Sequence, residues 1–261
     1  MTASCPAEFV AIAQACADAS GAVIRRHFRT PFAVESKQDE SPVTVADRGA
    51  ERAIRDILDA ELPDHGIIGE EYGLKEGDGP WTWILDPIDG TRGFVAGVPL
   101  FGTLIGLTHR GEAALGVLDQ PIIAERWLAH GDAVTTLNGA AATVRDCGGL
   151  SAATLMTTDT SYFAPEQEQA WRRVTERCAN VRYSADCYAF GLLASGHVDL
   201  AIEANVQVYD IAALVPIVEN AGGLCTDWQG RPLDLTVMAQ PSILAAASPA
   251  LHAEAMALLN G

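Results

Sequence analysis

The chain has 261 residues, 49% hydrophobic and 20% charged, a composition that rules out disorder as its main state. Lys and Arg number 17 against 34 Asp and Glu, a net charge of −17. Phosphate backbones and anionic lipid surfaces are repelled over most of such a surface, which disfavours a nucleic-acid scaffold or a peripheral membrane protein. The same acidity serves solubility, or it gathers carboxylates to hold metal.

The six cysteines, Cys5, Cys16, Cys147, Cys178, Cys187 and Cys225, form no CxxC pair. They read as reduced, mostly buried thiols of a cytoplasmic protein. Residues 7–28 repeat apolar groups at helical spacing through Phe9, Ile12, Cys16, Val23, Ile24 and Phe28. Glu8 and Asp18 interrupt that stretch and no basic start precedes it, so it is not read as a signal peptide. No uninterrupted apolar run reaches the roughly 18 residues of a membrane span. Residues 34–42 are polar and turn-prone. Thr44-Val45-Ala46-Asp47 resembles a capping box opening a second helix with a buried stripe of Ala50, Ile54, Ile57 and Leu58, ending near Pro63.

Ile67-Ile68 leads into Gly69-Glu70-Glu71, and 72–80 reads as a loop. A strand from Trp81 to Leu85 runs into Asp86-Pro87-Ile88-Asp89-Gly90-Thr91. Runs near 101–108, 113–119 and 124–129 predict an antiparallel meander, and Asn138-Gly139 marks a turn. The second half alternates: strand 153–158, helix 166–178, a strand near 181–183, helix 187–195, strand 198–203 and helix 210–221. Pro216 should bend that last helix, and Gly222-Gly223 should close it. Strands at 224–226 and 242–247 and a helix at 249–259 complete the chain. We expect one α/β (α+β) unit over 1–261, with a helix–meander half (1–140) and an alternating half (141–261).

The segment from Asp86 to Thr91 carries the most chemistry. Two carboxylates three residues apart leave a strand together, a proline restricts the backbone between them, and a glycine allows a tight turn. Such a turn aims two carboxylates and a backbone carbonyl at one point, the oxygen set a hard cation such as Mg²⁺ takes. Gly90-Thr91-Arg92-Gly93 can open a helix whose free N–H groups face an anion. The plain alternative is a turn with two solvated aspartates. Glu70 and Glu71 alone read as solvated, and Asp47 and Asp210 as helix caps. Their shared chemistry favours a joint site of Glu70, Asp86, Asp89 and Asp210 around two or more ions. No GxSxG, P-loop or HExxH is present, and the six histidines lack metal spacing.

Gly69-Glu70-Glu71, Trp83-Ile84-Leu85-Asp86-Pro87-Ile88-Asp89-Gly90-Thr91, Tyr209-Asp210-Ile211-Ala212-Ala213 and Ala221-Gly222-Gly223 together resemble the inositol monophosphatase superfamily. The resemblance covers nearly the whole chain. It implies the layered α-β-α-β-α sandwich of the inositol monophosphatase/fructose-bisphosphatase type, a homodimer, and Mg²⁺-dependent hydrolysis of a small phosphate ester, with neither nucleic acid nor membrane as partner. Two or three Mg²⁺ are implied per site, with Mn²⁺ as a substitute. By this resemblance Glu70, Asp86 and the Ile88 carbonyl hold the first ion. Asp86, Asp89 and Asp210 hold the second, and Glu70 faces a third. Gly90 and Thr91 contact phosphate, the Thr91 hydroxyl touches the attacking water, and Asp47 tunes Thr91. Lys37 matches a loop near the metals.

Thr91-Arg92-Gly93-Phe94, Gly116-Val117-Leu118-Asp119-Gln120-Pro121, Glu125-Arg126-Trp127 and Asp186-Cys187-Tyr188 are similar to the histidinol-phosphate phosphatase branch, which serves histidine biosynthesis. Histidinol carries an amine and an imidazole, so its pocket should offer carboxylates beyond those on the metals. Asp186, at a helix start, and Glu203, at a strand end, are the candidates, with an N-cap and a solvated strand end as their plain readings. Asn205 is expected to read a polar group, Ser161 to lie near the substrate, and Arg92 to touch the ligand or make a surface salt bridge. Inositol monophosphate, or another sugar or nucleotide phosphate, is the rival substrate.

Overall fold

The computed structural model describes residues 3–30, 34–36 and 42–261. Lys37 and the side chain of Thr44 lie outside that description. The first half runs α1 (Ala7–His27), β1 (Val34–Ser36), β2 (Pro42–Thr44), α2 (Val45–Glu61), β3 (Gly66–Gly69), β4 (Gly73–Lys75), β5 (Trp81–Asp89) and α3 (Thr91–Ala96). It continues through β6 (Gly102–His109), β7 (Glu112–Gln120), β8 (Glu125–His130), β9 (Thr136–Leu137) and β10 (Ala140–Ala141). Its main sheet has the order β10-β9-β8-β7-β6-β5-β3-β4, in which β6, β7 and β8 are the expected meander. The loop read at 72–80 contains β4, which pairs with β3.

The second half runs β11 (Thr154–Met156), α4 (Pro165–Thr175), β12 (Asn180–Arg182), α5 (Tyr188–Ala194), β13 (Leu200–Gln207), α6 (Val208–Ile211), α7 (Leu214–Asn220), β14 (Leu224–Thr226), β15 (Ala239–Ala246) and α8 (Pro249–Leu259). Its sheet order is β12-β11-β13-β15-β14.

Strand alternation sorts the core into layers. Trp83, Leu85, Ile105, Leu107, Leu115 and Val117 point to one face of the first sheet, where they meet Phe9, Ile12, Ala13, Cys16 and Ala17 of α1 and Ile54 and Leu58 of α2. Ile84, Leu104 and Leu118 point to the other face. There they join α5–α7 and, beyond them, Ala201, Ile243 and Ala245 of the second sheet. The far face of that second sheet packs on α4 and α8 through Trp171, Val174, Leu251 and Ala255. The result is the α-β-α-β-α sandwich that the resemblance implies. Among the described residues α1 alone is long and apolar enough to cross a membrane, and its apolar stripe is the one packed on the first sheet.

The helix expected at 210–221 is two helices, α6 and α7. Pro216 is the physical reason. It supplies no N–H for the carbonyl of Ala212, and its ring crowds that carbonyl, so the helix restarts at Leu214, where the proline falls in an opening turn that needs no such bond. The break presses against the sheet at two paired glycines, Gly106 and Gly116. A Cβ on Gly106 would lie 3.0 Å from that of Ala212, and one on Gly116 would lie 2.1 Å from the oxygen of Ala213. Glycine at both positions lets the α6–α7 junction reach the sheet, which carries the carboxylate on α6 down towards β5. Gly116→Ala should therefore lift the junction and cost about 1–3 kcal/mol. Urea unfolding of the metal-free protein measures this loss, and unchanged stability would contradict the close approach.

Candidate active site

Asp86 and Asp89 emerge from β5 through an irregularity in its pairing with β6. Asp86 opposes Leu104 and Asp89 opposes Gly102, so three steps on one strand match two on the other. Pro87 cannot donate to the ladder, and the extra residue bulges there. The bulge is held from below, where the Thr103 hydroxyl donates to the Pro87 carbonyl at 2.8 Å and meets Ser20 Oγ at 3.1 Å. Asp86 turns back to accept the Ile88 N–H at 3.0 Å.

Glu70 arrives by a different route. β3 runs parallel to β5, with Gly69 beside Leu85, and the Glu70 N–H extends that ladder to the Leu85 carbonyl at 3.1 Å. The next residue of β5 is Asp86. Asp210 descends on α6, where its carboxylate accepts the Gln207 N–H at 2.7 Å. It is thus both a helix-opening residue and a member of the site. Asp86, Asp89 and Asp210 each bring one carboxylate oxygen within 4.8 Å of the others.

Burial and mutual repulsion act together on these acids. Asp86 is pushed well above the ordinary carboxylate range, first by burial and then by Glu70, Asp89, Asp210 and Asp47. Burial and then Asp210 raise Asp89 to about 7, against the pull of its hydrogen bonds from Cys187. The Cys187 N–H donates to Asp89 Oδ2 at 2.5 Å. Carboxylates packed this closely fit divalent cations, whose charge removes the repulsion and whose hardness matches oxygen donors.

Gly90 follows with φ 93°, the left-handed region. A Cβ here would also lie 3.0 Å from the Asp186 carboxyl carbon, so glycine is required twice over. α3 opens at Thr91 as expected. The Thr91 hydroxyl is 3.1 Å from the Ile88 carbonyl and 3.5 Å from Asp47 Oδ1. Asp47 is buried inside the first turn of α2 rather than standing as its cap.

A cavity of about 500 Å³ adjoins the acids, lined in part by Asp89, Thr91, Asp186, Glu203 and Asp210. Two expectations about local structure change here. Glu203 lies inside β13, because the strand continues to Gln207, and it is buried rather than solvated. It accepts the Thr158 N–H at 2.6 Å, the Thr158 hydroxyl at 2.9 Å and the Thr157 hydroxyl at 3.2 Å. Burial outweighs these donors and lifts it to about 8. Asp186 does not begin a helix. It stands before α5 in a left-handed conformation, φ 44°, against Gly90. Burial, then Asp89, raise it to about 8, while Arg92 lowers it.

Arg92 and Asn205 also line the cavity. Arg92 lies over the Tyr162 ring at 4.9 Å, and Asn205 donates to the Tyr162 carbonyl at 2.7 Å, so both frame the turn carrying Tyr162. Ser161 is not brought to the cavity wall. Its N–H closes a turn onto Asp159, and Thr158, Asp159 and Tyr162 line the wall in its place. Sequence reasoning missed Thr157, Thr158 and Tyr162, which carry no motif. It also missed buried Glu51 and Arg55 on α2, which follow Asp47 at four-residue spacing and were legible as a polar stripe.

The profile of the inositol monophosphatase family matches residues 6–260. The chain belongs to that family. It is therefore a metal-dependent phosphatase of small phosphate esters. Among its relatives, a bifunctional phosphatase IMPL2, chloroplastic, of Arabidopsis thaliana is 45% identical over 97% of this chain and 75% of its own length. A histidinol-phosphatase of Chlorobaculum parvum is 39% identical over 78% of this chain and 79% of its own. A solved inositol monophosphatase from Zymomonas mobilis superposes with a TM-score of 0.87 at 42% identity, covering 98% of this chain and all of the other.

The crowding of these acids makes stability depend on pH. Asp89 titrates near 7 when folded and near 4 when unfolded, so the metal-free fold holds the extra proton between those values. Its stabilising contribution is complete below about pH 4 and is lost as pH rises through 7. Asp89→Asn should remove that loss and raise the melting temperature of the metal-free protein at pH 8 but not at pH 4. Calorimetry in chelator checks this, and equal shifts at both pH values would refute the assignment.

Proposed function

We propose that the chain hydrolyses L-histidinol phosphate to L-histidinol and phosphate, with Mg²⁺ as its ion and Mn²⁺ as a substitute. The observation that carries the reading is the placement of two further carboxylates, Asp186 and Glu203, on the cavity that Asp89, Thr91 and Asp210 also line. A cationic amine and imidazole need such acceptors, and a hydrogen bond to a charged group contributes about 1.5–3 kcal/mol. The Chlorobaculum histidinol-phosphatase supports the reading from outside. The six free cysteines fit a reducing, cytoplasmic setting.

Glu70, Asp86 and the Ile88 carbonyl would hold one ion, and Asp86, Asp89 and Asp210 a second. Ions held there would supply neutralisation of the carboxylates, polarisation of the phosphate and a lowered pKa for a bound water. The Thr91 hydroxyl donates its hydrogen bond to Asp47 or to the Ile88 carbonyl, which leaves its oxygen to accept one from the attacking water. Glu70 takes a proton on the other flank. The N–H groups of Gly90 and Thr91 orient the phosphate oxygens. The water oxygen would join phosphorus as the ester P–O bond breaks, the proton lost by that water passing to Glu70 and on to solvent while the leaving alkoxide takes one proton from solvent water. Asp186 and Glu203 fix the alcohol's nitrogens, with Arg92 and Asn205 holding the Tyr162 turn beside them.

Inositol monophosphate is the second reading, favoured by the 42%-identical inositol monophosphatase structure. Buried carboxyls also accept hydrogen bonds from a polyol. Phosphate release from histidinol phosphate, inositol 1-phosphate and an aryl phosphate separates the two. A kcat/KM preference of about 100-fold for histidinol phosphate corresponds to about 2.7 kcal/mol. Asp186→Asn and Glu203→Gln should each raise KM for histidinol phosphate about 10–100-fold and leave the aryl phosphate within about threefold. Equal effects on both esters would sink the histidinol assignment.

A further inference from the structure

α2 carries three buried polar side chains at four-residue spacing, Asp47, Glu51 and Arg55, which are 1%, 0% and 7% exposed. Residues at this spacing share one helix face. Asp47 faces Thr91, as described. Glu51 and Arg55 face the turn just after β3. Glu51 Oε2 accepts the Glu71 N–H at 2.8 Å, and Oε1 accepts the Tyr72 N–H at 3.2 Å. Arg55 Nε donates to the same Oε1 at 2.7 Å, and its terminal nitrogen donates to the Gly73 carbonyl. Three successive residues after Glu70 are thus tied through their backbones to one ion pair. From outside, Arg52 stacks on the Tyr72 ring at 4.4 Å.

Gly69 shows how close this ion pair comes to the strand end. A Cβ on Gly69 would lie 2.0 Å from Glu51 Oε1 and 2.7 Å from an Arg55 nitrogen. The pair passes directly against the backbone that delivers Glu70. An ion pair this buried loses solvation on both members and is a poor source of net stability. Its geometry has another use. On one side Glu70 is pinned to β5 by its own N–H, bonded to the Leu85 carbonyl. On the other side the turn is pinned to α2 by Glu51. With both flanks fixed, the Glu70 side chain has little backbone freedom to lose when it engages a cation.

The geometry points to Glu51, braced by Arg55, as a positioning residue for Glu70: it fixes the 70–73 turn so that the Glu70 carboxylate is held ready for a metal ion. The inference rests on the reading of Glu70 as a metal ligand. Glu51 touches neither ion nor substrate in this scheme and acts only through the backbone of the turn.

A double-mutant cycle read by Mn²⁺ binding tests it. The metal-free full chain is titrated with Mn²⁺, and free Mn²⁺ is followed by electron paramagnetic resonance. Glu51→Gln keeps the shape but places an amide N–H against a donor. It should weaken Mn²⁺ binding about 10-fold or more, the scale seen when partners of metal ligands are lost. In a Glu70→Gln background the same change should weaken Mn²⁺ no further. Equal loss in both backgrounds would mean that Glu51 acts on the fold at large, and no loss with Glu70 present would mean that it does not act at all. Either result overturns the inference while Glu70 stays a ligand. If Glu70→Gln by itself leaves Mn²⁺ affinity unchanged, the proposed ligand set fails and the inference falls with it. Should Glu51→Gln not fold, as judged by thermal unfolding without metal, Arg55→Lys serves. It keeps the charge, removes the two-pronged grip, and is held to the same two-background comparison.

Discussion

The repulsion among four acids at the end of β5 is the constraint around which the structure is arranged. Burial and then the charges of Glu70, Asp89, Asp210 and Asp47 push Asp86 well above the carboxylate range, and burial and then Asp210 raise Asp89 to about 7. Two such charges about 4 Å apart cost around 4 kcal/mol at the effective dielectric of a partly buried site. A fold does not bring acids together at that cost by accident of packing. The backbone therefore has to impose the arrangement, and a cation has to relieve it. In the metal-free protein, protons on Asp86 and Asp89, both raised by burial and neighbouring charge, supply part of that relief.

Three local features impose it, and each is written in a short stretch of sequence. Pro87 breaks the β5–β6 ladder and sets Asp86 and Asp89 three residues apart on a bulge. Gly69 lets a buried ion pair grip the strand end from which Glu70 departs. Pro216 splits the following helix so that its break, not its side chains, meets the paired glycines Gly106 and Gly116. None of these features binds anything. Each lowers the freedom of a backbone carrying a carboxylate, so the entropic cost of ordering the ligands is met during folding.

Much of this was legible beforehand, and the reasons differ by residue. The acids on β5 were readable because Asp86-Pro87-Ile88-Asp89-Gly90 combines a strand end, a rigid residue and a permissive one, which is a local geometry. The antiparallel meander was readable from period-2 alternation. Glu203 reads as a strand end because Asn205, a turn-forming residue, follows two positions on; β13 nonetheless continues through it to Gln207, with Asn205 itself left-handed at φ 59°. Glu203 is held in the strand by pairing with β15 out to Ala239. Asp186 was given to a helix that begins two residues later, since a left-handed non-glycine residue leaves no sequence signal. Ser161 lies off the cavity wall because its turn onto Asp159 presents Thr158, Asp159 and Tyr162 there instead. Glu51 and Arg55 carry no motif, and the apolar stripe of their amphipathic helix is the stronger periodic signal. A polar stripe of equal period carries equal information when the partner is a turn of backbone amides.

Asp186 and Glu203 differ from the metal-facing acids in what they require. Both are raised to about 8, chiefly by burial, so near neutrality the empty cavity holds them largely protonated. A protonated carboxyl suits a hydroxyl, to which it donates, and a carboxylate suits a cation. In the proposed reaction the substrate's amine arrives charged and favours the ionised form, so binding returns a proton to solvent. With a polyol the carboxyls keep their protons and nothing is released. The two candidate alcohols therefore meet one set of residues in two protonation states. Specificity between them rests on how strongly burial opposes ionisation. Glu203, inside a sheet and fed by three donors, is compensated in part for the charge it would carry, burial still outweighing them. Asp186, pressed against Gly90 and beside Asp89, gains least from ionising until cations occupy the neighbouring acids. In the proposed reaction, filling the metal site would thus prepare Asp186 for a cationic alcohol, linking the chemistry at one end of the cavity to recognition at the other.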